Sequence, residues 1–151
     1  MSKLGDAFTS ELHATHLKPL GFKKTRHTFS RSHEGFTERY NIQGSAWNDH
    51  DGPWTCYVNC GISFDELPPR NPDSDFPRTH AWMRAQHFTS RALPQYDITP
   101  DNLASSAALV ADVILQCSDY FRRRHTYLRE HYEQQPGFTC LLADPELRPA
   151  N

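Results

Sequence analysis

Trp54-Thr55-Cys56-Tyr57-Val58-Asn59-Cys60-Gly61-Ile62-Ser63-Phe64 is the stretch on which the reading of this chain turns. Its even-numbered residues, Trp54, Cys56, Val58, Cys60, Ile62 and Phe64, are all apolar. Its odd-numbered residues, Thr55, Tyr57, Asn59, Gly61 and Ser63, carry a hydroxyl, an amide or nothing. Successive side chains of a strand leave opposite faces, so this alternation predicts a strand over 54–64 with one face buried and one wet. One-sided burial is characteristic of an antiparallel sheet, with the preceding strand as its neighbour.

Upstream, Asn48-Asp49-His50-Asp51-Gly52-Pro53 is rich in residues that favour turn dihedrals and separates the strand from a second one over Phe36–Trp47. In that strand Phe36, Tyr40 and Ile42 share a parity that only Glu38 interrupts. His33-Glu34-Gly35 is a hairpin-sized link back to a short strand over Thr25–Arg31. Before it, Leu4, Phe8 and Leu12 recur at helical spacing and predict an amphipathic helix over Leu4–Leu17, with Asp6 as a candidate cap. Pro19 and Gly21 stop it.

Downstream, Asp65–Arg78 holds Pro68, Pro69, Pro72 and Pro77 and reads as a loop. His80–Phe88 is a candidate fourth strand, and Pro94–Pro100 a connection. Thr99 would cap the following helix and Pro100 open it. Leu103, Ala107, Val110, Ile114, Cys117, Phe121, Leu128 and Tyr132 then draw one stripe along a long helix, with His125 in an otherwise apolar place. Pro136-Gly137 ends it, and Phe138–Leu142 packs back as a short strand or hook. The expectation is an α+β fold, an antiparallel sheet of three to four strands packed against an N-terminal helix and a long C-terminal helix.

The chain has 151 residues, the size of one domain, spanning 1–151. Aromatic residues make up 12% of it, and these large rings supply the buried area that disordered chains lack. No apolar run approaches the roughly 20 residues of a membrane span. Met1–Phe8 lacks a basic region followed by an apolar stretch, so a cytoplasmic protein is expected. The net charge of −2 removes the footprint of a protein that grips nucleic acid through its phosphates. The charge is uneven, however: residues 46–119 hold four Lys/Arg against ten Asp/Glu. Asp49, Asp51, Asp65, Glu66, Asp73 and Asp75 fall in the two connections flanking the 54–64 strand, which makes them either solvated loops or a face for a basic partner.

Constellations for chemistry are sparse. Cys56, Cys60, Cys117 and Cys140 form no CxxC pair and read as free thiols, the first three directed into the core. Cys56 and Cys60 on one strand stand about 13 Å apart, too far to share a zinc or a disulfide. His13 and His16 share a helix face without a third ligand, and no HExxH, GxSxG, GxGxxG or P-loop occurs. No catalytic residue, metal site or cofactor is assigned. Arg122-Arg123-Arg124 fans around a helix and reads as solvated side chains, with an anion or RNA contact as the minority reading.

Leu17-Lys18-Pro19-Leu20-Gly21-Phe22-Lys23-Lys24, then Thr28-Phe29-Ser30-Arg31, Ile42-Gln43, Trp47-Asn48, Val58-Asn59 and Gly61-Ile62 form an ordered series. It resembles the bacterial family called domain of unknown function 4304, in which a helix and an "L+PLGF+K" corner precede three strands, the last reading like "VNxGI". The likeness covers about the first 65 residues and the terminal helix in outline. It implies no activity and no catalytic residue. Small α+β domains of similar type serve as immunity proteins beside secreted toxins, an analogy of type. The leading expectation is therefore a non-catalytic protein-binding module, such as an immunity protein neutralising a toxin. Its partner would be a basic protein such as a toxin domain, with no membrane involved and a nucleic-acid binder ranking third among the readings. The alternative is a small-molecule-binding protein or enzyme of unknown reaction, with a cleft beside Tyr57, Asn59 and the 65–78 loop.

Overall fold

A computed structural model of the chain describes residues 2–49, 52–68 and 79–147. β4 (Trp54–Phe64) has the bounds that its alternation marks, and β3 (Phe36–Gly44) lies antiparallel to it, Tyr40 opposite Cys60 and Gly44 opposite Cys56. Two short strands share the other edge of β4. β5 (Ala81–Arg84) places Met83 opposite Cys60, and β6 (Tyr96–Ile98) places Tyr96 opposite Cys56. On the far side β3 pairs with β2 (Thr28–His33) and β2 with β1 (Lys23–Thr25). Among the described residues the sheet thus has six strands, all paired antiparallel, in the order β1-β2-β3-β4-β5 with β6 also on β4.

This exceeds the three to four strands expected from sequence, for two local reasons. Arg26 adopts a left-handed φ of 54° and turns the chain inside the segment read as one strand, Thr25–Arg31, so that Thr25 ends β1, which begins in the corner at Lys23, and β2 starts at Thr28. β6 lies within the stretch read as a connection, and three residues are too few for a period of two to register. The candidate fourth strand over 80–88 is realised as β5 alone, and a 3₁₀ turn follows over Ala85–His87.

The even-numbered residues of β3 and β4 face the core, and α2 (Leu103–Tyr132) lies across them. Val110, Ile114, Cys117, Phe121 and Leu128 are buried as the stripe predicts, and His125 fills its place by stacking on Phe36, ring centroids 4.4 Å apart. All four cysteines are buried free thiols. Asn102, just before α2, exchanges hydrogen bonds with Thr99, Thr99 N–H to Asn102 Oδ1 at 2.8 Å and Asn102 N–H to Thr99 Oγ1 at 3.2 Å. Thr99 therefore closes the entry turn instead of capping a helix that begins at Pro100. At the far end α2 stops at Tyr132, short of Pro136, and Phe138–Leu142 contributes a helical turn, α3 (Thr139–Leu142), where a strand or hook was expected.

α1 (Lys3–Glu11) is capped by Ser2, whose hydroxyl accepts from Gly5 N–H at 3.2 Å. Asp6 is not the cap; it accepts from His27 Nε2 at 2.9 Å. A π-helical turn over Leu12–Leu17 and a 3₁₀ turn over Lys18–Leu20 follow, and Gly21 at φ 92° turns the chain into β1, the corner that Pro19 and Gly21 imply. α1 sits directly on β4: a Cβ at Gly5 would lie 2.7 Å from Trp54 Cε2.

The arginine run of α2 is largely structural. Arg124 donates to both oxygens of the buried Asp144, Nη2 to Oδ1 at 2.6 Å and Nε to Oδ2 at 3.0 Å, and Tyr120 donates to Oδ2 at 2.7 Å. Arg123 pairs with Asp119 and Glu146. These bonds clasp the segment after α3 onto α2. No described helix is long and apolar enough to cross a membrane.

Candidate functional site

The two faces of the sheet carry separate polar clusters. On the core face the register sets Glu38 between Arg31 on β2 and Ile62 on β4. Its side chain is wholly buried, and both of its oxygens are engaged. Oε1 accepts from the Tyr40 hydroxyl at 2.7 Å; Oε2 accepts from Arg31 Nε at 3.2 Å and from His33 Nε2. Arg31 spends its remaining nitrogens on Leu20 O at 3.0 Å and Ser118 Oγ at 2.8 Å, with its guanidinium over the Phe22 ring. One carboxylate therefore ties the β2–β3 hairpin to the Leu17–Phe22 corner and to α2. Burial, aided by the charge of Glu38, pushes the Tyr40 hydroxyl well above its usual pKa. His33 stacks on Phe36, and burial, with the nearby His33 as a second cause, holds His125 below the ordinary imidazole value.

The other face is built from odd-numbered residues. Arg39, Gly61 and Trp82 form one row across β3, β4 and β5, and Asn41, Asn59 and Arg84 the next; Gln43 and Tyr57 pair in the row beyond. Asn59 is 3% exposed in spite of its polar side chain. Its amide nitrogen donates to Asn41 Oδ1 at 3.2 Å and Gln43 Oε1 at 3.1 Å, and its oxygen accepts from Arg84 Nη1. Arg84 Nη1 also donates to Gln43 Oε1 at 3.0 Å, and its guanidinium lies 4.5 Å over the Tyr57 ring centre. Four side chains on β3 and β4 thereby hold one cation, Arg84 of β5, at a fixed place on the outside of the sheet.

The acidic residues singled out from sequence are only partly gathered. Asp49 is exposed in the turn before β4; Asp65 and Glu66 are exposed after it. The 11 residues of β4 between them span about 35 Å at 3.3 Å per residue, so these three do not form one patch. Asp51, Asp73 and Asp75 lie outside the described residues. Among the described residues no group of three His, Cys, Asp or Glu side chains is placed to hold a metal; His13 instead bonds Phe22 O through Nε2 at 2.9 Å.

A family model described as "Domain of unknown function (DUF4304)" matches residues 13–93, more than half of the chain. The chain belongs to that family. The part matched begins in the π-helical turn and runs past β5, so the DUF4304 segment contains both polar clusters, except for Ser118 and His125 on α2. The Leu17–Lys24 corner and the Val58-Asn59 and Gly61-Ile62 motifs lie inside it, as the resemblance implies. No curated protein and no solved structure matches the chain.

Neither cluster was singled out as such from sequence, although each had a signal. Glu34-Gly35 as a two-residue turn sets His33 opposite Phe36, and counting outward puts Arg31 opposite Glu38. Tyr57 and Asn59 were legible as the polar side of β4, but that side is wet only in part, since Asn59, Gly61 and Ser63 are buried on it, and Arg84 joins them through a strand pairing that no local pattern announces.

Proposed function

We propose that this DUF4304 protein is a non-catalytic protein-binding module, such as a bacterial immunity protein that neutralises a toxin in the cytoplasm, and that it docks through the outward face of β3, β4 and β5. The observation that carries the reading is the Arg84–Tyr57 stack, held on the Asn59 amide network and turned away from the core. Arginine, tyrosine and tryptophan dominate the binding energy at interface centres, and Trp82 stands beside them on β5, 36% exposed. Side chains already locked in place lose little conformational freedom on binding, which favours affinity. Asp49 at one end of β4, with Asp65 and Glu66 at the other, frames this face with acidity, and the partner is basic opposite them; Asp51, Asp73 and Asp75 belong to the same two connections. Such charges chiefly speed association and select against acidic rims.

The test is gene neighbourhood followed by co-expression. A secreted toxin encoded alongside, whose toxicity the protein suppresses and with which it co-purifies, upholds the reading. A metabolic operon with no growth protection overturns it. A second reading, a small-molecule-binding protein or an enzyme of unknown reaction, is favoured by the imidazole of His33, backed by Glu38 and 24% exposed. His33→Ala separates the two: it abolishes activity under the second reading and leaves toxin protection intact under the first.

A further inference from the structure

The outward network has a direction that its chemistry dictates. A guanidinium only donates, so Asn59 and Gln43 must both turn their amide oxygens to Arg84 Nη1. Asn59 Nδ2 then faces Asn41 and Gln43, which must both accept through oxygen, and Asn41 Nδ2 passes the chain on to Thr28 Oγ1 at 3.0 Å. All three amide oxygens are thereby engaged inside the network, that of Gln43 by two donors. What remains toward solvent is Nε and Nη2 of Arg84 and Nε2 of Gln43, which can only donate, and the Tyr57 hydroxyl, which can donate as well as accept; none of them bonds another described residue. The positive charge is also unmatched, because Arg84 takes part in no ion pair among the described residues.

We infer that this cluster is a carboxylate-binding subsite, in which the Nε–Nη2 edge of Arg84 receives both oxygens of an aspartate or glutamate side chain of a protein partner, with Gln43 Nε2 and the Tyr57 hydroxyl as further donors. A forked edge with two parallel N–H groups matches the two oxygens of a planar carboxylate, and a single positive charge matches its single negative one. A phosphate dianion would leave excess negative charge on a site with one cation. The source follows from the exposure of Gln43 and the partial exposure of Arg84 and Tyr57, where an isolated ion pair contributes little and a free acid is held only weakly. A carboxylate carried by a protein surface that also covers Tyr57 and Trp82 is desolvated, and its pairing then counts. The inference rests on the binding-module reading and names the chemistry at the centre of its face.

The test uses the intact ¹⁵N-labelled protein, titrated with sodium acetate, sodium chloride and sodium phosphate at equal ionic strength, and with a short peptide, acetylated and amidated at its ends, carrying one glutamate and its glutamine counterpart. Acetate is expected to shift the Arg84 Nε–H and Gln43 side-chain amide signals saturably, and several-fold more than the Nε–H of Arg122, an exposed arginine of α2. The glutamate peptide should saturate at lower concentration than acetate, and the glutamine peptide should not shift these signals. Arg84→Lys keeps the charge without the fork and should lose the Gln43 response; the wild-type titrations decide the question even where that variant folds poorly. Equal shifts at Arg84 and Arg122, or a Lys variant that responds like the wild type, overturn the subsite. Phosphate saturating below acetate overturns the ligand class, and acetate saturating below the peptide overturns the protein source. Any of these with toxin protection intact rejects the subsite alone, whereas absence of protection rejects the docking reading beneath it.

Discussion

Arg31 Nε lies 3.2 Å from Glu38 Oε2 across the β2–β3 hairpin, so an arginine is paired with a wholly buried carboxylate on the face that otherwise holds Phe29, Phe36, Tyr40 and Ile42. Burying such a pair costs desolvation that the pairing only roughly offsets, and its value lies in what it joins. Here the bonds reach Leu20 O and Ser118 Oγ, fixing how the corner and α2 sit on the sheet.

Removing Glu38 strands Arg31 and His33 beside an apolar core. Glu38→Ala should lower unfolding free energy by about 3–5 kcal/mol. Tyr40→Phe, which removes one hydrogen bond to the carboxylate, should cost roughly 1.5–3 kcal/mol. Urea denaturation followed by far-UV circular dichroism measures both; the reverse ranking would show that the carboxylate is not the hub.

Thiol chemistry checks the register of β4. Burial pushes the Cys56 thiol up to about 12 and Cys60 well above its usual value, and the Cys60 and Cys117 sulfurs lie 3.5 Å apart in the core. In the folded protein Cys56 and Cys60 should react slowly with a disulfide reagent at pH 8, and all four thiols rapidly in denaturant. Val58→Asp puts a carboxylate without a partner on the same face and should destabilise by several kcal/mol. Equal rates with and without denaturant would refute the burial of these two thiols.

Two groups make stability depend on pH in the same direction. Burial opposes ionisation of Asp144, but the bonds from Arg124 and Tyr120 prevail and hold its carboxyl below the ordinary value. Its contribution is present above the unfolded carboxyl pKa of about 4 and is lost as pH falls through the lower folded value. His125, also depressed, contributes fully above about 6.5, and its share is lost as pH falls from there toward its folded value. Thermal melts from pH 8 to 3 should therefore show two declines. His125→Phe, which keeps the stack on Phe36, should flatten the upper one and Asp144→Asn the lower; unchanged profiles would refute these assignments.

Gly5 and Trp54 make the closest approach between α1 and the sheet. Gly5→Ala raises helix propensity by nearly 1 kcal/mol, yet a methyl 2.7 Å from Trp54 Cε2 forces the helix or the indole to shift. The net effect should be destabilising by about 1–2 kcal/mol, read from the urea midpoint together with Trp fluorescence. A more stable variant would show that α1 is free to move off β4.

What the sequence determined by itself was whatever repeats with a local period. β4 was legible to the residue because eleven positions alternate without exception, and the α2 stripe because it continues over eight turns. The corner at Pro19 and Gly21 was legible because proline and glycine impose dihedrals that no neighbour needs to enforce. β6 was not, since three residues hold no period and form a strand only because the edge of β4 has unpaired N–H and C=O groups to offer. Glu38 looked like a flaw in an apolar pattern, and its purpose appears only when Arg31, His33 and Tyr40 converge on it. Arg84 stands 25 residues from Asn59, and nothing local to either links them. Strand pairing brought them together, and the one-way donation of a guanidinium then decided how every amide on that face must point.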